Sequence, residues 1–443
     1  MSEGRKLKFG LFIQGAGHHT SGWRHKDAQS GSENFELIKQ LAQTAERAKL
    51  DMVFLADGLI TSPDASASVV ARFEPITLLA ALSTVTSRIG LAVTASTTYY
   101  DPFNIARLLA SVDQLSQGRA AWNVVTTSSP EAAKNFSRED HPDHHLRYER
   151  AAEFVEVVKG LWDSWEQQPY IVNKETGEYI DKSKLHELNH EGTFFSVKGP
   201  LNVTQSPQGH PVIIQAGSSG PGQDLAARIG EVVFTAQQSL EDAQQFYSHL
   251  KAQLPKYGRA AEHLHIMPGL LPVIGATEKE AHEKYEYLQS FIDDSFAYDS
   301  LSERFQYDMR AYSLDEPAPD IPEADGRKSR PRLLLKLARD KGYTLRQLYK
   351  EVAGARGHRI VTGTPLQIAD HIQQWFVGYA ADGFNIMPPY VPGGLDEFVD
   401  GVIPELQNRG LFRTEYEGST LREHLGLPVP VNRHTRGLHN NQK

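Results

Sequence analysis

The sequence predicts an α/β fold, a closed (β/α)8 TIM barrel with insertions. Three observations predict it. Eight short apolar runs recur along the 443 residues, and most are followed by a helical pattern. Each run is rich in Val, Ile, Leu and Phe and bounded by Gly, Asp, Pro or Ser, as buried parallel strands are. No G-x-G-x-x-G follows any run, so the open doubly wound alternative lacks its usual cofactor signature. Gly15-Ala16-Gly17 is only a fragment of one.

The strands are expected at 8–13, 51–56, 89–95, 120–125, 211–216, 231–235, 267–275 and 383–387. The first helix is expected over 33–49, where Phe35, Ile38, Leu41, Ala42, Ala45 and Ala48 fall at three- and four-residue steps. Further helices are expected at 75–86, 104–115, 147–165, 223–229, 240–254, 278–296, 365–380 and 395–408. Pro75 and Pro365 suit first helical turns, where a missing N–H costs nothing. A barrel of about 250 residues leaves about 190 over. These concentrate at 166–210 and 297–362, the expected insertions. Residues 1–431 read as one barrel domain and 432–443 as a polar, frayed tail.

Lys and Arg number 46 against 55 Asp and Glu, a net charge of −9. That balance argues against wrapping nucleic acid or anionic lipid. There is no Cys, which removes disulfides, thiolate catalysis and Cys-ligated metal centres. It also fits a cytoplasmic location. No run of 18 apolar residues suggests a membrane span, and no signal peptide is visible.

In a barrel the chemistry lies at the C-terminal strand ends. Those ends carry Gln14, His18 and His19; Asp57; Thr94, Ser96, Thr97 and Thr98; Asn123, Thr126, Thr127 and Ser128; Ser218 and Ser219; and Gln237 and Gln238. Hydroxyls and amides suit hydrogen bonds to a polar cofactor. No carboxylate pair spaced for glycoside hydrolysis, nucleophile elbow or P-loop lysine is present.

Individual residues leave alternatives open. The turn 216–222 enters a helix and could hold a phosphate on its free N–H groups, or simply cap the helix. His141, His144 and His145 could bind metal, lie in a solvated loop, or present His144 with Tyr148 to a cofactor. Asp57 could cap the next element or hold a polar ligand.

The stretches Phe54-Leu55-Ala56-Asp57, Ala92-Val93-Thr94-Ala95-Ser96-Thr97-Thr98-Tyr99 and Trp122-Asn123-Val124-Val125-Thr126, with Asn135-Phe136, resemble the bacterial-luciferase-like flavin monooxygenases. A closer resemblance is to the branch of nitrilotriacetate, EDTA, dibenzothiophene-sulfone and long-chain alkane monooxygenases. It runs from Phe9 to about Leu427. It implies an FMNH2-dependent, two-component monooxygenase using O2, with reduced FMN supplied by a separate NAD(P)H:flavin reductase. It implies flavin contacts at Asp57, Thr94, Ser96 and Asn123. His144 and Tyr148 would reach the ribityl or phosphate side, and Ser218 and Ser219 the phosphate. A homodimer or homotetramer is expected.

His18 is the catalytic candidate, for stabilising the reactive oxygen or for a proton transfer at the substrate. The insertion 297–362 and the loop 14–32 are the expected lid. Arg24, Arg304, Arg310, Arg327, Lys328 and Arg330 are the cations that an aminopolycarboxylate substrate would use; an organosulfur substrate would need fewer. A deazaflavin-dependent dehydrogenase or a non-catalytic flavin-binding protein are the alternatives.

Overall fold

Eight parallel strands close into a ring in the computed structural model, which describes residues 4–29, 31–63, 65–217, 219–294, 297–305, 307–319, 321 and 329–435. The ring strands are β1 (Lys8–Phe12), β2 (Met52–Leu55), β3 (Gly90–Ser96), β4 (Ala120–Val125), β7 (Val212–Gln215), β8 (Val232–Thr235), β9 (His265–Ile274) and β11 (Gly383–Ile386). They pair in that order, and β11 returns to β1 with Gly10 opposite Asn385. All eight expected strands are present.

Helices α1 (Phe35–Arg47), α2 (Pro75–Ser83), α3 (Pro102–Leu115), α4 (His144–Trp162), α5 (Gly220–Ile229), α6 (Leu240–Lys251), α7 (Glu278–Gln289) and α11 (Pro365–Val377) surround the ring. Pro75 and Pro365 occupy first turns as expected. α4 begins three residues earlier than its apolar stripe suggests. Asp143 caps it, accepting from the Leu146 N–H at 2.8 Å. That early start puts His144 and Tyr148 on one helix.

Strand residues alternate between two cores. Phe9, Leu11, Val53, Leu91, Val93, Trp122 and Ile213 face the helices. Phe12, Met52, Phe54, Ala92, Ala121, Val212, Ile214 and Val232 face the barrel interior. The chain after β11 passes through α12 (Gly393–Glu397), a π-helical turn Phe398–Val402 and α13 (Ile403–Asn408) to α14 (Leu421–Leu425). α14 plugs the N-terminal end of the barrel. Leu421 and Leu425 join the interior core, and a methyl group on Gly90 would lie 2.5 Å from a Leu421 methyl. Arg422, 1% exposed, forks onto Glu231 at 2.6 and 3.1 Å, and the Lys8 ammonium donates to the His424 carbonyl at 2.6 Å. With this end stoppered, the polar strand ends open at the other.

The first insertion contains a hairpin, β5 (His190–Glu191) with β6 (Ser196–Val197). Glu153 of α4 holds it, accepting from the Phe194 and Phe195 N–H groups and from His190. The second insertion is helical, with α8 (Ala297–Phe305), α9 (Ser329–Lys341) and α10 (Leu345–Ala355). It has a core of its own around Leu301, Met309, Leu334, Leu348 and Val352. It ends in a strand that the apolar runs did not reveal. β10 (Arg359–Gly363) pairs in parallel with the far half of β9, outside the ring. The polar tail starts docked. Asn432, 7% exposed, donates to the Asp163 and Trp165 carbonyls, and Arg433 pairs with Asp163. Residues 436–443 lie outside the described residues. Among the described residues no helix is long and apolar enough to cross a membrane.

Leu421→Ala should therefore lower stability by about 2–5 kcal/mol, the usual range for a buried leucine that leaves a cavity. Urea unfolding followed by far-UV circular dichroism would show it as a lower midpoint with an unchanged native spectrum.

Candidate active site

Three aromatic rings floor the open mouth. Phe12 ends β1, Phe54 lies on β2, and Phe234 reaches them from β8 across the barrel. Their centroids lie 5.0, 5.6 and 5.5 Å apart. His18, in the loop after β1, packs edge-on against Phe12 at 4.4 Å. It is fully buried and donates Nε2–H to the Phe12 carbonyl at 2.9 Å. A carbonyl only accepts, so that nitrogen carries the proton. Nδ1 then offers a lone pair, and no group among the described residues meets it. Burial pushes the His18 pKa down to about 3, so the ring is neutral at physiological pH.

A polar arc stands on β3 and β4 above that floor. Phe54 pairs with Ala92 and Ala92 with Ala121; one layer up, Thr94 pairs with Asn123. The Asn123 amide donates to Thr94 Oγ1 at 2.8 Å, and its Oδ1 is buried without a partner. Ser96 Oγ accepts from Thr127 Oγ1 at 2.6 Å and from the Thr98 N–H at 3.1 Å. Gln14 Oε1 is likewise buried and unpartnered. Orphaned buried acceptors of this kind call for a ligand or water.

The side of the mouth at α4 and α5 is built for close approach. Tyr148 lies one turn after His144, and their ring centroids are 4.9 Å apart. A methyl group on Gly217 would lie 2.8 Å from Gln215 Nε2, 2.9 Å from Gly222 Cα and 3.0 Å from the Tyr148 hydroxyl oxygen. Ser219 caps α5 by accepting the Gly222 N–H at 3.3 Å. Ser218 lies outside the described residues.

Sequence reasoning did not single out Arg147, which the structure makes a further candidate. It is 6% exposed and donates to the Pro142 carbonyl, yet its Nε is buried with no partner. Burial lowers its pKa, and Tyr148 and Tyr99 partly offset this. An arginine three residues after His144 and next to Tyr148 was the available signal.

His141 Nδ1 hydrogen-bonds the Tyr99 hydroxyl at 2.6 Å. Among the described residues no three metal-ligating side chains converge. A groove of about 820 Å³ runs outside α4 and α5. Glu149, Glu156 and Asp224 line it, which makes it a poor seat for an anion.

Two loops and the helical insertion meet over the mouth. Asp57 is half-buried and accepts the Gly58 N–H at 2.8 Å. Burial raises its pKa, and Gly58 and Arg72 oppose the rise. Thr20 donates to Ala353 at the end of α10 through its hydroxyl and its N–H. Among the expected substrate cations, Arg24 lies over the Phe291 ring and donates to the Phe291 carbonyl, and Arg310 pairs with Asp299 and Asp308 at the surface. The side chains of Arg304, Arg327, Lys328 and Arg330 lie outside the described residues.

The luciferase-like monooxygenase family model matches residues 8–382. N-acetyl-S-(2-succino)cysteine monooxygenase of Bacillus subtilis (strain 168) is 55% identical over 98% of this chain and 100% of its own. Nitrilotriacetate monooxygenase component A of Aminobacter aminovorans is 48% identical over 98% of this chain and 99% of its own. Among solved structures, riboflavin lyase with a modified FMN and its substrate riboflavin superposes with a TM-score of 0.86 at 32% identity, covering 99% of this chain and 100% of that one. The family model spans most of the chain and the relatives span nearly all of it, so the chain belongs to the luciferase-like monooxygenase family and is a flavin-dependent monooxygenase.

Proposed function

We propose that this chain is the oxygenating half of a two-component system. It takes reduced FMN from a separate NAD(P)H:flavin reductase and uses O2 to oxidise a small aminopolycarboxylate-like or organosulfur compound. The observation that carries this reading is an aromatic floor and a hydroxyl–amide arc on one barrel rim, with a glycine cradle at the Tyr148 hydroxyl and a near-buried arginine, Arg147, next to Tyr148 on α4. The relatives support the substrate range, since nitrilotriacetate is an aminopolycarboxylate and N-acetyl-S-(2-succino)cysteine is an organosulfur acid. Such a system would work in the cytoplasm, as a homodimer or homotetramer.

The residues present fit the cofactor. Thr94, Ser96 and Asn123 would hold the polar edge of the flavin ring, with Asp57 nearby. Tyr148, His144, Ser218 and Ser219 would take the ribityl–phosphate end. Arg147 supplies the positive charge that hydroxyls alone lack. When bound in reduced form, FMN supplies the electrons with which O2 is split between substrate and water. The protein's part is to bind, orient and exclude water. The three phenylalanines keep solvent from entering through the barrel, and the helical insertion with loop 14–32 covers the mouth. His18 would act as a neutral hydrogen-bond acceptor through Nδ1, holding a proton at the reacting face and not supplying charge there.

The test is an assay with FMN, NADH, a generic flavin reductase and a panel of aminopolycarboxylates and organosulfur compounds. Oxygen uptake that depends on one of them, with little peroxide released, is the expected result. FMN binding with no substrate oxidised would favour a flavin-binding protein instead. Arg147→Gln should weaken FMN binding about 10- to 100-fold, the loss of a charge-assisted contact, by fluorescence titration.

His18 also predicts a pH dependence. Unfolded, it takes a proton near pH 6.5; folded, it stays neutral down to about 3. The unfolded chain therefore binds the extra proton in between, and stability falls as pH drops from 6.5 towards 3. The fall for this one site is about 1.4 kcal/mol per pH unit. Urea unfolding at pH 6.5, 5.5 and 4.5 should show a shallower slope in His18→Gln than in the parent.

A further inference from the structure

We infer that Met387 is the site where the protein damages itself when turnover fails, as hydrogen peroxide made in the mouth converts its thioether to a sulfoxide. The inference rests on the proposed reading of the mouth as the place where reduced FMN meets O2. The chain has no cysteine, so its five methionines carry all of its sulfur. Among the described residues these are Met52, Met267, Met309 and Met387. Met309 lies in the separate core of the helical insertion. Met52 lies one inward step before Phe54 on β2, so the floor stands between it and the mouth.

Met387 is at the mouth. It follows the last residue of β11, at the strand end where barrel sites lie. Leu11 pairs with Ile386, so the next step places Met387 beside Phe12. Asn385 pairs with Gly269, so Met267 lies two inward steps lower than Met387. A methyl group on Gly269 would lie 2.8 Å from Met387 Sδ and 2.9 Å from Cγ of His358, whose ring stacks on Phe234 at 5.0 Å. Glycine at 269 thus leaves the space that the sulfur fills, at the level of the floor. The His18 N–H donates to the Pro388 carbonyl at 2.9 Å, and the His18 ring packs on Phe12. The thioether and the catalytic candidate therefore share Phe12 as a neighbour.

The chemistry balances without a further reagent. Reduced FMN and O2 give oxidised FMN and H2O2 when no substrate takes the oxygen. A lone pair on the sulfur attacks one peroxide oxygen, and the O–O bond breaks. The proton on the transferred oxygen passes to the departing hydroxide, which leaves as water. Sulfur loses two electrons and the peroxide gains them. The product sets a polar S=O into an apolar floor and disturbs the packing on which the flavin would rest. Met387 is 1% exposed, so peroxide in bulk solvent meets it poorly. Peroxide made in the mouth starts beside it, and the flexible thioether can turn to meet it.

The test is turnover with FMN, NADH and a generic flavin reductase, with catalase and no organic substrate. Catalase removes peroxide from the bulk. Tryptic digestion and mass spectrometry then read each methionine. Met387 should gain one oxygen several-fold faster than Met52 or Met309. The same dose of H2O2, added without flavin or catalase, should oxidise Met387 several-fold less. Met387→Leu keeps the volume and removes the sulfur. After turnover and removal of flavin, the parent should bind fresh FMN several-fold more weakly by fluorescence titration, and Met387→Leu as before.

Met387 left unoxidised in a protein that binds FMN overturns the inference and leaves the oxygenase reading standing. So does equal oxidation by added H2O2, oxidation spread evenly over the methionines, or an equal loss of FMN affinity in Met387→Leu. A protein that binds no FMN at the start overturns both. If Met387 is oxidised but the panel assay finds no substrate, the oxygenase reading falls and the modification site stands.

Discussion

The meeting of Phe234 with Phe12 and Phe54 divides this barrel in two. Below it the interior is apolar and closed by Leu421 and Leu425 of α14. Above it stand the Thr94 and Ser96 hydroxyls, the Asn123 amide and the His18 imidazole. The division is possible because the facing strands carry small residues at the matching layer. Phe54 lies level with Ala92 on β3 and Ala121 on β4, so its ring has room to reach inward. Larger residues at those two positions would compete with the rings for the same volume. One step higher the same strands present Thr94 and Asn123. The polar arc is therefore a consequence of strand register, and so is its distance from the floor.

This logic explains which parts were legible in the sequence. Strands and barrel helices show as local patterns, and all eight ring strands lie where apolar runs fall. Strand-end polarity is legible for the same reason, since a residue one step beyond an inward position stays inward. Thus the positions of Thr94, Ser96 and Asn123 on the inner face of β3 and β4 were legible, and the spacing of His144 and Tyr148 placed them on one helix face. β10 was not found. Its residues Arg359 to Thr362 are half-buried and polar-flanked, and it forms because β9 is long enough to offer an unpaired upper half. The contact of Arg356 with Ser66 and Ser68 is not legible for a related reason, since it joins positions some 290 residues apart. Of the cations legible in the sequence, Arg24 rests on the Phe291 ring and carbonyl, and Arg310 pairs with Asp299 and Asp308 at the surface.

On the proposed reading, the charges around the mouth follow a simple electrostatic requirement. A dianionic phosphate and a polycarboxylate must share one water-poor site, and bringing them together is unfavourable unless each meets its own cation. Arg147 on α4 would meet the phosphate. The strand ends offer hydroxyls, an amide and a histidine that burial keeps uncharged, with the Asp57 carboxylate half-buried over the mouth.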